Sequence, residues 1–153
     1  MTTQYVSSPI GTLKITSDGT SITGVYAAKK KLKSSADALT KRCALDIERY
    51  FAGQMTEFSV PLRAEGTAFQ KSVWKAMSRI PSGKTTTYAE IAKDIGRPKA
   101  VRAVGSACGN NPLLIVVPCH RVVGSNGGLG GFSAGILAKK LLLATEQQQR
   151  KQA

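Results

Sequence analysis

The hydrophobic period turns from that of strands to that of helices after the first segment of this 153-residue chain, and that change limits the folds open to it. Up to about residue 26, apolar and polar residues alternate, as in half-buried strands. Tyr5–Ser8, Leu13–Thr16 and Thr20–Tyr26 are the strand candidates, and Pro9-Ile10-Gly11 and Ser17-Asp18-Gly19 supply turn chemistry between them. After about residue 34 the repeat is helical. Leu39, Cys43, Ile47 and Tyr50 fall on one face of a helix that Ser34 or Ser35 would cap and Gly53 would stop. That face is expected to cover the small sheet, with Cys43 as a buried core thiol. Residues 56–65 read as a connector broken by Pro61.

The second part is mainly helical. Thr67 caps a helix with the apolar stripe Phe69, Val73, Trp74 and Met77, and Pro81-Ser82-Gly83 ends it. Tyr88–Gly96 reads as a short helix closed by glycine. After Arg97-Pro98, Lys99 to about Gly109 reads as another, so the pair has the outline of a helix-turn-helix. Its second helix combines the small residues Ala100, Ala103, Gly105, Ser106 and Ala107 with the basic Lys99 and Arg102. Close approach to a nucleic-acid backbone and tight helix packing are both open as reasons. Asn111-Pro112 is a turn, and Leu113–Val117 is an apolar run suited to a buried strand. Gly124–Gly128 and Gly130–Gly135 are loops. A last helix is expected over Ile136–Glu146, with Leu137, Leu141, Leu142 and Ala144 toward the core and a frayed tail from Gln147.

Charge narrows the partner. Lys and Arg number 22 against 9 Asp and Glu, a formal +13. Residues 64–153 carry 13 basic and 4 acidic groups, so they are the better polyanion-binding half. Lys29–Lys33 is a further basic run, read as a solvated loop. The 42% hydrophobic content supports a packed core. With no long apolar run and no secretory pattern at the N-terminus, an intracellular protein is expected: cytoplasmic, beside the nucleoid, or nuclear in a eukaryote. Three cysteines and one histidine, without close ligand spacing, predict neither a disulfide framework nor a metal site.

The chemistry concentrates at Cys119 and His120, placed after the apolar run. A thiol near its ordinary value needs a base to react at neutral pH, and histidine can serve if a third group orients it. Neighbours on a strand face opposite ways, so a water relay is expected between Cys119 and His120. Glu146, closing an apolar helix, is the candidate carboxylate. On these residues alone a structural Cys-His pair, a DNA-binding module without chemistry and a cysteine hydrolase also stand open.

Pro118-Cys119-His120-Arg121-Val122 resembles the signature of the O6-alkylguanine-DNA alkyltransferases. Gly66-Thr67-x-Phe69-Gln70-x-x-Val73-Trp74, Ile80-Pro81-x-Gly83, Tyr88, Arg102-Ala103-Val104-Gly105 and Asn111-Pro112 resemble that family in order and spacing. So do Gly131-Phe132-Ser133 and Leu142-Leu143-Ala144-Thr145-Glu146. The resemblance is dense over residues 66–146 and weak over the first 60. It implies an α+β fold: residues 1–60 as a three-stranded antiparallel sheet with a helix, ribonuclease-H-like, and residues 61–153 as a helical, winged-helix-like DNA-binding and alkyl-acceptor domain.

The resemblance also implies the reaction, in which an alkyl group passes irreversibly from O6-alkylguanine in duplex DNA to Cys119. No cofactor is implied, and a monomer acting once through the minor groove is. By matched position, His120 would be the base, Glu146 its partner and Asn111 a brace for the turn. Tyr88 would crowd the target phosphate and protonate the departing guanine. Arg102 would fill the stack left by the flipped base, beside Lys99, Ala103 and Gly105 on the DNA-facing helix. Val122, Phe132 and Ser133 would line the pocket. Departures are Phe132 where tyrosine is common, Ala134 where glycine or a larger residue is common, and Gln147 where glycine often follows the glutamate. The N-terminal zinc ligands of some members are missing here.

Overall fold

A computed structural model describes the backbone of residues 1–152, with side chains through Arg150. The chain divides into two compact units: residues 1–65 joined by 112–116, and residues 66–111 joined by the chain from 117 onward.

In the first unit, β1 (Thr2–Ser8), β2 (Gly11–Ser17) and β3 (Ile22–Ala28) form an antiparallel sheet in the order β1-β2-β3. Alternation puts Leu13 and Ile15 of β2 on the buried face with Val25 opposite Ile15, and a register shift at Thr16 and Ser17 lets Ile22 be buried as well. Helix α1 (Ala38–Phe51) covers it with Cys43, Ile47 and Tyr50, all fully buried. Burial pushes the Cys43 thiol up to about 12, so it is an inert core group. The cap is Asp37, not Ser34 or Ser35. Its carboxylate accepts from the Thr40 backbone N–H while the Thr40 hydroxyl accepts from the Asp37 N–H, a reciprocal box that neither serine is placed to make. Ser35 instead pairs its backbone with Thr3.

Leu113–Val117 is not a strand. Leu113 makes a single bridge to Val25, and the Val25 N–H donates to Pro112 O at 2.8 Å. The chain then closes a γ-turn around Ile115, whose φ of 71° lies in the left-handed region that β-branched residues avoid. Continuous apolarity does report burial, since Leu113, Leu114 and Ile115 are all covered. It does not report extension.

In the second unit, α2 (Ala68–Met77) opens on Thr67, the predicted cap, which forms a reciprocal capping box with Gln70. It packs Val73, Trp74 and Met77 inward, and the Trp74 indole N–H donates to Ala107 O at 2.8 Å. The strand β4 (Thr86–Thr87) leads into α3 (Tyr88–Asp94), and α4 (Val101–Gly109) follows after a turn. Lys99 therefore precedes α4 instead of starting it. A short strand β5 (Val122–Val123) pairs in parallel with β4.

Helix α5 (Ile136–Gln152) departs most from its sequence reading. It continues past Glu146, and its later turns are held to Gly83: Gln147 Nε2 donates to Gly83 O at 2.7 Å and Arg150 Nη1 to the same oxygen at 3.2 Å. With glutamine where a glycine could have stopped the helix, the residues from 147 to 152 are helical and not frayed. Its buried face is also rotated from the predicted one. Leu137 is 76% exposed, and Leu141 and Ala144 also lie outward. Ala138, Lys139, Leu142 and Glu146 face in.

Candidate active site

Every predicted catalytic and pocket residue lies in the second unit. Pro118, with φ −83° and ψ 67°, makes an inverse γ-turn in which the Cys119 N–H donates to Val117 O at 2.9 Å. Asn111 Nδ2 donates to that same Val117 oxygen at 2.8 Å, so the side chain braces the turn. Cys119–Arg121 then form one 3₁₀ turn, not the end of a strand. All three of its side chains are buried.

Around Glu146 the buried groups interlock. The Arg121 guanidinium grips the carboxylate in a fork, Nε to Oε1 and Nη2 to Oε2, both at 2.9 Å, and its Nη1 donates to Ile80 O at 2.6 Å. His120 Nε2 lies 2.7 Å from Glu146 Oε2. A carboxylate held by arginine only accepts, so Nε2 carries the proton and Nδ1 is the basic nitrogen. Nδ1 is buried and has no hydrogen-bond partner among the described residues. Burial holds the His120 value below the ordinary imidazole range, against the opposing pull of Glu146. The contact is therefore a hydrogen bond from a neutral imidazole at neutral pH, not an ion pair.

Cys119 is 4% exposed. Burial raises its thiol above the ordinary value, opposed by the Asn111 hydrogen bond and the positive charge of Lys139. The resting sulfur is thus protonated and depends on a base. Tyr88, at the start of α3, is raised chiefly by burial and then by the charges of Cys108 and Cys119, which keeps its phenol a donor. Gly130 is what admits it: its φ is +72°, and any side chain there would collide with the Tyr88 hydroxyl. Phe132 meets His120 edge-on with ring centroids 6.4 Å apart, so the aromatic wall persists without a tyrosine hydroxyl. Val122 is buried and Ser133 exposed. On α4 and its approach, Lys99, Arg102 and Ala103 are exposed and Gly105 is half-buried.

Arg121, Lys139 and Gly130 had no assigned role from sequence. Lys139 is fully buried on α5, and its ammonium donates to Val122 O at 2.7 Å. A signal was available, since Lys139 and Glu146 lie three before and four after Leu142, in helical phase with it. Among the described residues no cluster of His, Cys, Asp or Glu could hold a metal, and no helix is long and apolar enough to cross a membrane.

A buried thiol next in sequence to an imidazole whose Nδ1 has no partner among the described residues, the imidazole backed by an ion-paired carboxylate, can support thiol-based group transfer. Residues 1–64 match the ribonuclease-like domain of 6-O-methylguanine DNA methyltransferase, and residues 68–148 match its DNA binding domain. The chain belongs to this 6-O-methylguanine DNA methyltransferase family. A methylated-DNA–protein-cysteine methyltransferase of Methanosarcina acetivorans is 45% identical over 146 residues, covering 91% of this chain and 94% of its own. One of Haemophilus influenzae is 45% identical, covering 94% and 84%. A Mycobacterium tuberculosis OGT crystallised in complex with DNA superposes with a TM-score of 0.87 at 42% identity, covering 95% and 92%.

Proposed function

We propose that this protein repairs DNA by direct reversal, moving an alkyl group from O6 of guanine to Cys119 in a single irreversible turnover. The observation that carries the reading is the buried Nδ1 of His120, which has no partner among the described residues while its other nitrogen is committed to Glu146. Water relays the Cys119 proton to Nδ1, and Glu146 stabilises the imidazolium that forms. The thiolate attacks the alkyl carbon, a carbon–sulfur bond forms, and the bond to O6 breaks. The electron pair leaves with the guanine, which takes a proton from Tyr88 at a ring nitrogen. The thioether product does not hydrolyse, so Cys119 is consumed.

Residues 61–153 form the DNA-binding and alkyl-acceptor domain in this reading, and 1–60 an accessory one. Lys99, Arg102, Ala103 and Gly105 meet duplex DNA in the minor groove, where small side chains permit close approach and Arg102 replaces the flipped base. Asn111 holds the nucleophile's turn, and Val122, Phe132 and Ser133 bound the guanine pocket. The protein acts as a monomer without a cofactor, in the compartment that holds the DNA. Mass spectrometry after incubation with O6-benzylguanine tests this. One benzyl group on the Cys119 peptide is expected, with none on Cys119→Ser; an unlabelled, folded wild type would sink the reading.

A further inference from the structure

Lys139 is a buried charge to which the mechanism above gives no task. Its ammonium donates to Val122 O at 2.7 Å and to Gly131 O at 3.4 Å, and lies 5.9 Å from the centroid of the Tyr88 ring. Among the described residues no carboxylate forms an ion pair with it. A buried cation served only by carbonyl dipoles and a ring face is costly to keep. Its two carbonyl partners locate its use. Val122 follows directly on the turn that carries Cys119 and His120, and Gly131 opens the loop that carries Phe132 and Ser133.

We propose that Lys139 is a positioning residue of the alkyl-transfer site, tying the loop at Gly131 to Val122 and serving as the counter-charge of the Cys119 thiolate. The proposal rests on the reading of Cys119 as the nucleophile. Of the acidic groups that interact with Lys139, burial raises all three, and Cys119 alone is ionised by the mechanism, through His120. Tyr88 on α3 and Cys108 on α4 are both raised, Cys108 to about 12, so both are neutral at physiological pH. His120 is held neutral by burial, and Arg121 is occupied by Glu146. The charges of Lys139 and Cys119 act on one another in the favourable sense. Alkylation turns the sulfur into a neutral thioether, so the reaction itself removes the anion that the lysine was placed to meet.

The test is the ionisation of Cys119, read from the pH dependence of its iodoacetamide labelling by peptide mass spectrometry. In Lys139→Met the midpoint is expected to rise by about one pH unit, about tenfold less thiolate at pH 7. Lys139→Arg should keep the wild-type midpoint. A folded Lys139→Met with an unmoved midpoint, or an arginine variant that matches it, overturns the counter-charge. If the methionine variant does not fold, wild-type protein with 13C at lysine Cε decides. Methylating Cys119 with iodomethane should lower the Lys139 titration midpoint, and an unchanged midpoint overturns the proposal. Neither measurement uses guanine or DNA, so failure of benzylguanine labelling would reject the repair reading without deciding the role of Lys139.

Discussion

His120 is the chain's one histidine, which makes the window from about pH 5 to 7 a report on a single imidazole. Burial lowers its value in the fold, while in the unfolded chain it takes a proton near the ordinary value of about 6.5. Below that pH the unfolded state binds a proton that the folded state resists, so stability is complete above about 6.5 and falls as pH drops toward the folded value. Denaturant unfolding of the wild type is expected to lose stability as the pH falls below about 6.5. A His120→Gln variant, whatever its absolute stability, should show a flatter profile over that window. Equal slopes would mean that the imidazole is not held neutral. The same group must be neutral to act as base, so alkyl transfer should weaken on the acid side as well.

At the scale of elements, α4 offers a contrast between what the fold wants and what a ligand would want. Gly105 sits inside a helix, where alanine is more favourable by about 0.5–1 kcal/mol. A Cβ there would meet nothing nearer than a Tyr88 ring carbon at 4.0 Å, ordinary contact. Gly105→Ala is therefore expected to raise unfolding stability by roughly that 0.5–1 kcal/mol while weakening binding to duplex DNA, and tighter binding would remove Gly105 from the interface. The elements themselves were unevenly legible from sequence. The strands, the Thr67 cap and the helix-turn-helix outline follow from local chemistry, while the α+β class came with the family resemblance. Leu113–Val117 did not, because buried apolar runs look alike whether extended or turning, and the γ-turn at Ile115 depends on contacts distant in sequence. The inward face of α5 was missed for a different reason. Counting leucines chose a stripe led by Leu137, while the buried stripe spends two positions on Lys139 and Glu146. Charged residues in phase with Leu142 were the clue to the site's supporting groups.

For the molecule as a whole, the excess of positive charge turns a proposed partner into a measurable slope. An interface that neutralises about four phosphates should lose about a hundredfold in affinity between about 50 and 200 mM salt. Titrating labelled duplex at several salt concentrations checks this, and a flat response would contradict phosphate contact. The stripe on α5 carries a different consequence, about how such a chain can change over generations. Lys139 and Glu146 are seven residues apart, two turns and about 10 Å along one helix. Inserting or deleting one residue between them would swing one relative to the other by about 100°. Either the Arg121–Glu146–His120 cluster or the Val122–Gly131 tie would then be lost. Substitutions at the exposed positions 140, 141 and 144 should cost little, and an alanine inserted after Leu143 should abolish alkyl transfer even if the helix still forms. The interior of α5 can accordingly drift in letters but not in count, a reading frame written in helical turns.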